Sequence, residues 1–492
     1  MSLLRGKRLS KMDTDAANFT SSVDQDRPLL KHVVKINIAH VLSLYKSGII
    51  GQKETFKLVA ALQSIPDDLR LDSSLEDVHM NVESYVANSA GIFGGLINLG
   101  KSRNDQVSTA LRMVVREEIL GILSEILLTV NTLVNVAKGE LDRIMPGYTH
   151  LQIAQPTTLA HYLACYAQAL IRDAGRLKDV YGRTNLSPMG SAAFAGSTVP
   201  LNRKRVAELL GFDGLLTNSM DAVSARDFLL EFLSILAITQ IDLSRMAEDM
   251  IFYSTQESSY LTIPDEFAST SSMMPQKRNA VVLETIRAKA ASLIGMFCSA
   301  ASNIKGLPQS YNLDLQELNS FAWTGGDTVK NSLKLVRNMI SSIRFNTHKL
   351  AEGANYGYSI ATDLAEIICI QAKVPFRDAH HIVGAATSRK EGKTFDYRSF
   401  RQAIVVEALS RGYKEVENVL PQKYDASESV KNKKSVGSPN PVHVEKMLNE
   451  LTLISERLQA WLNQKHESLN QSELRIRNEV KELEKEVRNG GV

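Results

Sequence analysis

The sequence is poor in cysteine, tryptophan and net charge. Its 492 residues hold three cysteines, Cys165, Cys298 and Cys369, and two tryptophans. An odd number of widely spaced cysteines fits neither a disulfide framework nor a zinc motif, and a reducing, cytoplasmic setting is the simple reading. Lysine plus arginine exceeds aspartate plus glutamate by 57 minus 54, a net charge of +3. So small an excess gives no reason to expect nucleic acid or a membrane surface as a partner. No run is read as reaching the ~18 apolar residues of a membrane span. The stretch from Met1 to Met12 is basic but lacks an apolar centre and a small-residue cleavage site. It reads as a mature, mobile start rather than a signal peptide.

What the sequence does have is helical periodicity. Hydrophobic residues make up 44% and charged residues 23%, ordinary for a globular chain long enough to bury a large core. From Asn104 to Leu141 there is no proline and only two glycines, and Val107, Leu111, Val114, Ile119, Ile122, Ile126, Val130 and Leu133 recur at three- and four-residue steps. That pattern predicts one buried face of a helix roughly 50 Å long. Similar stretches cover residues 157–180, 226–255, 279–304 and 321–350, with Asn279 as the N-cap of the fourth. Helices of this length are best satisfied side by side in a bundle. The stretch from Leu229 to Leu236 is apolar around most of its circumference, which predicts burial on all sides and so helices from other chains. Met145-Pro146-Gly147-Tyr148 reads as a break, and residues 185–198 and 262–278 as loops. The expected organisation is an N-terminal helical domain over 1–101, a central bundle over 102–350 carrying the loop 262–278, and a C-terminal helical domain over 351–492. The last of these includes a loose, lysine-rich stretch over 422–438. Ile476, Val480, Leu483 and Val487 place an amphipathic helix in the charged tail.

Chemistry concentrates in a few segments. Ser271-Ser272-Met273-Met274-Pro275-Gln276-Lys277-Arg278-Asn279 packs two hydroxyls, two cations and an amide into a loop that leads into a helix. Backbone N–H groups and cations there favour a carboxylate or a developing anion, and would make a serine hydroxyl more acidic. A capped surface loop with incidental charges is the bland alternative. Gly100-Lys101-Ser102-Arg103-Asn104-Asp105-Gln106 opens the first long helix, and the planar fork of Arg103 suits a carboxylate. Its bland counterpart is a polar cap. Gly147-Tyr148-Thr149-His150-Leu151-Gln152, just before a helix, offers a histidine able to move a proton near neutral pH, although a lone histidine is more often structural. Glu76-Asp77-Val78-His79 and Tyr311-Asn312-Leu313-Asp314-Leu315-Gln316 complete the set.

Taken together, these segments resemble the argininosuccinate lyases, including the delta-crystallins, within the aspartase/fumarase superfamily. The resemblance runs from Phe19-Thr20-Ser21-Ser22-Val23-Asp24-Gln25-Asp26 through Asn218-Ser219-Met220-Asp221 to Ala361-Thr362-Asp363-Leu364 and Val374-Pro375-Phe376-Arg377. It implies an all-α, three-domain lyase whose bundles form a tetramer core of twenty helices, five from each of four chains, with each active site assembled where three subunits meet. It implies no metal or organic cofactor, and argininosuccinate as substrate. Ser271 would be the general base and His150, paired with Glu284, would attend the leaving nitrogen. Lys277 and Asn279 would stabilise the anionic intermediate. Ser102, Arg103, Asn104 and Thr149 look like succinyl-carboxylate binders. Ser22, Asp26, Tyr311 and Gln316 resemble residues that hold the arginine portion, with Asp77 and His79 as a supporting pair.

The match departs at Thr270 and Ala280, where the family has glycine and proline, at Asn98-Leu99, at Lys101 in place of an arginine, and at Asn319 in place of a lysine. Two alternatives are weighed beside it: another fumarate-releasing lyase, acting on adenylosuccinate or aspartate, and a non-catalytic structural homologue.

Overall fold

The computed structural model describes residue 10 and residues 12–388 and 395–489. The basic N-terminal stretch noted above lies almost wholly outside the described residues. The N-terminal part is built on α1 (Leu30–Lys46), α2 (Gln52–Gln63) and α3 (Val78–Ser89). The long helices α4 (Arg103–Lys138), α5 (Leu159–Thr184), α6 (Asp227–Ser254), α7 (Val281–Ile304) and α8 (Asn319–Ser342) pack as the bundle. Shorter helices follow, among them α9 (Ala361–Gln371), α10 (Phe376–Thr387) and α11 (Tyr397–Ser410), and the chain ends on α12 (Pro441–Asn489). Strands are few and short. The longest pair is the antiparallel hairpin of β1 (Ile144–Thr149) and β2 (Gln152–Thr158).

Each long helix forms for a local reason. Ser102 caps α4: its hydroxyl accepts from the Asn104 N–H at 3.3 Å while Asp105 accepts from the Ser102 N–H at 3.1 Å, a capping box. Leu111, Ile119, Ile122, Leu123, Ile126, Val130 and Leu133 then face the core and are at most 1% exposed. By length and composition α4 is apolar enough to cross a membrane, with a hydropathy of 1.8. This corrects the expectation that no stretch reaches that level. Glu125 is the only charge from Ile119 to Ala137, and the apolar side chains there are packed against α5, α8 and α12.

Several boundaries differ from expectation. Asn279 does not cap α7. It pairs with Ser269 in a two-residue ladder between β3 (Ser269–Thr270) and β4 (Arg278–Asn279), so the chain is extended there and Ala280 takes the cap position without a side-chain bond. Met145-Pro146-Gly147-Tyr148 is not a break but part of β1, with an irregularity between Pro146 and Tyr148. A Cβ on Gly147 would come within 2.6 Å of the Gln155 carbonyl, so only glycine fits that close strand approach. The last bundle helix ends at Ser342, because Arg344–Phe345 pairs with Leu261–Thr262. The apolar stretch from Leu229 to Leu236 is buried by helices of its own chain, so by itself it does not require partners. An uncovered apolar face lies on α7, where Ile294 is 42% exposed and Met296 and Phe297 are only half-buried.

The terminal helix is the largest surprise. It begins at Pro441, well before the amphipathic tail, and its 49 residues add a further long helix to the assembly. Val444, Leu448, Leu451 and Leu462 join the bundle core, and Trp461 meets Tyr181 edge-on at 5.2 Å. Ile476, Val480 and Leu483 enter the N-terminal core. The C-terminal core of Leu364, Ile368, Ile382, Phe400 and Ile404 stands apart from both. The sequence hint was confined to the charged end, although Leu448, Leu451 and Leu458 continue the same helix towards the bundle. Deleting residues 465–492 is expected to speed tryptic cleavage within residues 30–63 by about tenfold or more while the bundle stays helical. Unchanged resistance would show that these contacts carry no local stability.

Candidate active site

A cavity of about 380 Å³ opens at the N-terminus of α4, between that helix, α3 and the segment Leu313–Gln316. His79, Ser102, Arg103, Asn104, Tyr311 and Gln316, expected in the site, all line it. The helix start aims free N–H groups and positive potential towards it. Asp105 is fully buried beneath and accepts from the N–H groups of Gly190 at 3.0 Å and Ala192 at 2.9 Å. Burial pushes its carboxyl up to about 6 against the pull of those bonds and of Lys101. It therefore ties the loop 190–192 to the cavity rather than merely complementing the dipole.

Arg103 reaches Glu76 at 2.8 Å and Asp77 at 3.4 Å. Asp77 in turn caps α3, accepting from the Met80 N–H at 2.8 Å, and burial raises its pKa although Arg103 opposes this. The guanidinium is thus held in place by two acids, and an incoming carboxylate must share it with them. His79 is buried beside Gln106, and its ring nitrogens make no well-formed hydrogen bond. Burial, reinforced by Arg103 and Lys101, pushes the imidazole down to about 3, so the ring is neutral.

Gln316, Ser22 and the buried Asp26 are joined by hydrogen bonds. Gln316 Nε2 donates to Ser22 Oγ at 3.5 Å, and Ser22 Oγ donates to Asp26 Oδ2 at 2.8 Å. The Val78 N–H also donates to Asp26, at 3.1 Å. Burial pushes the Asp26 carboxyl up to about 6. The Tyr311 hydroxyl is buried with no hydrogen-bond partner among the described residues, and burial raises its pKa while Arg226 opposes this.

The remaining expected residues lie elsewhere in the chain. Thr149 and His150 stand on the tip of the β1–β2 hairpin, not simply ahead of a helix. Thr149 pairs with Gln152, and His150 and Leu151 make the two-residue turn with φ of +56° and +58°. Two non-glycine residues in the left-handed region are costly, and such strain gathers at functional sites. The hairpin pushes His150 into solvent. Ser271, Lys277, Asn279 and Glu284 lie on and after the loop closed by β3 and β4. Ser271 Oγ accepts from the N–H groups of Met273 at 3.2 Å and Met274 at 3.1 Å. Arg278 anchors the loop base to the Ile263 carbonyl at 2.8 Å and to Asp265. Glu284 is exposed in the first turn of α7. Thr270 sits in β3 with a negative φ, so the glycine usual in the family is not needed for backbone freedom.

Among the described residues, no hydrogen bond or ion pair joins these three groups: the cavity, the hairpin and the loop. In particular, His150 and Glu284 are not paired within one chain. Sequence reasoning missed Glu83, Asn37 and Arg226, and gave Lys101 no role beyond its place in the segment that opens α4. Arg226 is 1% exposed, and two of its guanidinium nitrogens have no hydrogen-bond partner among the described residues. Asn319 is buried, and both its side-chain polar atoms are without a hydrogen-bond partner among the described residues. Glu83, Asn37 and Arg226 left no signal in the sequence, since each is a single polar residue outside the motifs.

The chain is similar to known proteins over most of its length. The family profile described as Lyase matches residues 6–295, and that described as Argininosuccinate lyase C-terminal matches residues 358–420. Among solved structures, an EDDS lyase variant with bound fumarate superposes with a TM-score of 0.84 at 25% identity, covering 98% of this chain and 97% of that one. A class II fumarase from Schistosoma mansoni, at 16% identity, superposes with a TM-score of 0.69, covering 83% of this chain and 95% of that one, and shares the fold. The argininosuccinate lyase of Methanocaldococcus jannaschii is 38% identical, covering 96% of this chain and 98% of its own. That of Methanothrix thermoacetophila is 40% identical over 478 residues, 96% of this chain and 98% of its own. With that identity along nearly its whole length, and with their C-terminal domain present, the chain belongs to the argininosuccinate lyases.

Proposed function

We propose that the enzyme cleaves argininosuccinate to arginine and fumarate by β-elimination, serving arginine biosynthesis, and that it works as a homotetramer in the cytoplasm. The observation that carries the substrate reading is the cavity lined by Ser102, Arg103, Asn104, Tyr311 and Gln316. Ser102, Arg103 and Asn104 at a helix N-terminus suit the succinyl carboxylates. The Gln316–Ser22–Asp26 relay beside Tyr311 supplies acceptors for the cationic arginine portion.

The chemistry removes a proton from the carbon next to the one that bears the nitrogen. The C–N bond then breaks, the double bond of fumarate forms, and the leaving nitrogen takes a proton. We assign the first step to Ser271. Two N–H groups already donate to its oxygen, and such bonds favour the alkoxide it must become. Lys277 and Asn279 follow on the same loop and are assigned to the developing aci-carboxylate, whose charge needs preorganised donors. His150, oriented by Glu284, is assigned to the leaving nitrogen. The half-covered apolar face of α7 and the separation of the three groups within one chain support a tetramer with shared sites. The three free cysteines support a reducing compartment.

The decisive assay is fumarate absorbance with argininosuccinate as substrate and adenylosuccinate as control. Fumarate is expected from the first alone. Release from adenylosuccinate at a comparable rate would overturn the substrate assignment while leaving the lyase chemistry in place.

A further inference from the structure

Lys101 immediately precedes the cap of α4 and lines the cavity beside Ser102, Arg103 and Asn104. Its ammonium donates to Asn98 Oδ1 at 3.1 Å and to Gln106 Oε1 at 3.2 Å. Both acceptors are neutral amides. An ammonium carries three N–H donors, so one is left over. Arg103 has two acids in contact, whereas among the described residues no carboxylate makes an ion pair with Lys101. A cation whose hydrogen bonds, among the described residues, go to neutral oxygens and leave one N–H free is an incomplete arrangement, and an anion in the cavity would complete it.

We infer that Lys101 binds a substrate carboxylate through its third N–H, and that its charge sets the affinity of the cavity for dicarboxylates. The inference rests on the proposed function only in taking the substrate to be a dicarboxylate.

A lysine here differs physically from the arginine the family pattern has, because an arginine stays charged at any working pH. Lys101 faces Asp105 and Arg103 on α4, Glu83 and His79 on α3, and His40 on α1. Burial pushes its ammonium down to about 8, partly offset by Asp105 and Glu83. His79 and His40 are held down to about 3 by burial, and Asp105 is pushed up to about 6. A transition near pH 8 therefore points to Lys101. The protonated form binds an anion, so affinity is present below that pH and lost above it.

The test uses the full-length enzyme, Lys101→Arg and Lys101→Met, with KM and kcat for argininosuccinate measured from about pH 6.5 to about 9.5 and succinate binding measured by calorimetry. The wild-type KM is expected to rise about tenfold per pH unit above about 8, as one lost proton requires. Lys101→Arg removes that rise. Lys101→Met raises KM about 10–100-fold at neutral pH and weakens succinate equally, with kcat within about threefold, because a charged hydrogen bond is lost from binding alone. A purely structural lysine would not give the pH profile or its removal by arginine. Unchanged KM and succinate affinity in Lys101→Met, or a KM rise above pH 8 that persists in Lys101→Arg, overturns the inference. Lys101-dependent succinate binding in an enzyme that releases no fumarate from argininosuccinate would sustain it and sink the substrate reading.

Discussion

Ser271→Ala is expected to lower kcat for fumarate release by about 10³-fold, within the range for loss of a positioned base. KM should move little, because the groups assigned to substrate binding lie in the cavity and on the hairpin rather than at this hydroxyl. The serine also stabilises its own loop turn, accepting from the N–H groups of Met273 and Met274, so lost activity alone would not separate chemistry from loop order. Proton exchange does. Incubated with fumarate and arginine in deuterated water, the wild type should produce labelled argininosuccinate, while the variant should bind both ligands without incorporating label at the carbon beside the scissile bond. A Ser271→Ala enzyme that keeps more than about a tenth of wild-type turnover would remove this residue from the role of base.

The second large effect concerns shared sites. His150→Asn is expected to cost about 10²-fold in kcat, as for loss of a general acid. Co-expressing it with Ser271→Ala should then restore activity above that of either variant. In one chain His150 stands on an exposed hairpin tip and Ser271 on a separate loop, with no contact recorded between them among the described residues. If a site takes its imidazole and its hydroxyl from different subunits, random mixing leaves about one quarter of sites with both intact. Activity near a quarter of wild type, in tetramers isolated from the mixture, is the expected outcome. A mixture no more active than its parents would mean that each site draws both groups from one subunit, and the shared-site reading would fail.

Much of the fold was legible because its signals are local. The periodic residues of α4 predicted a buried helix, and the Ser102–Asp105 spacing marked its start. The carboxylate-binding segment could be read for the same reason: a helix N-terminus with Arg103 states its chemistry in a few residues. Boundaries that depend on pairing with distant strands were not legible. Asn279 looked like a cap until the ladder with Ser269 drew it into extended backbone, and the bundle seemed to run on to Leu350 until Arg344–Phe345 paired with Leu261–Thr262. The reach of α12 was hidden as well, since its two apolar stripes serve two different cores.

By itself the sequence determined which segments are helical and which residue types gather at each turn, because helix periodicity and capping act over a few residues. Only the tertiary structure decided that Gln316, Ser22 and Asp26 form one relay, that Asp105 is sealed beneath the cavity, and that Lys101 bonds to the amides of Asn98 and Gln106 without an ion pair among the described residues. Those outcomes follow from burial and from side-chain distances between segments up to 294 positions apart. Desolvation and hydrogen-bond geometry exist only once those segments have been brought together.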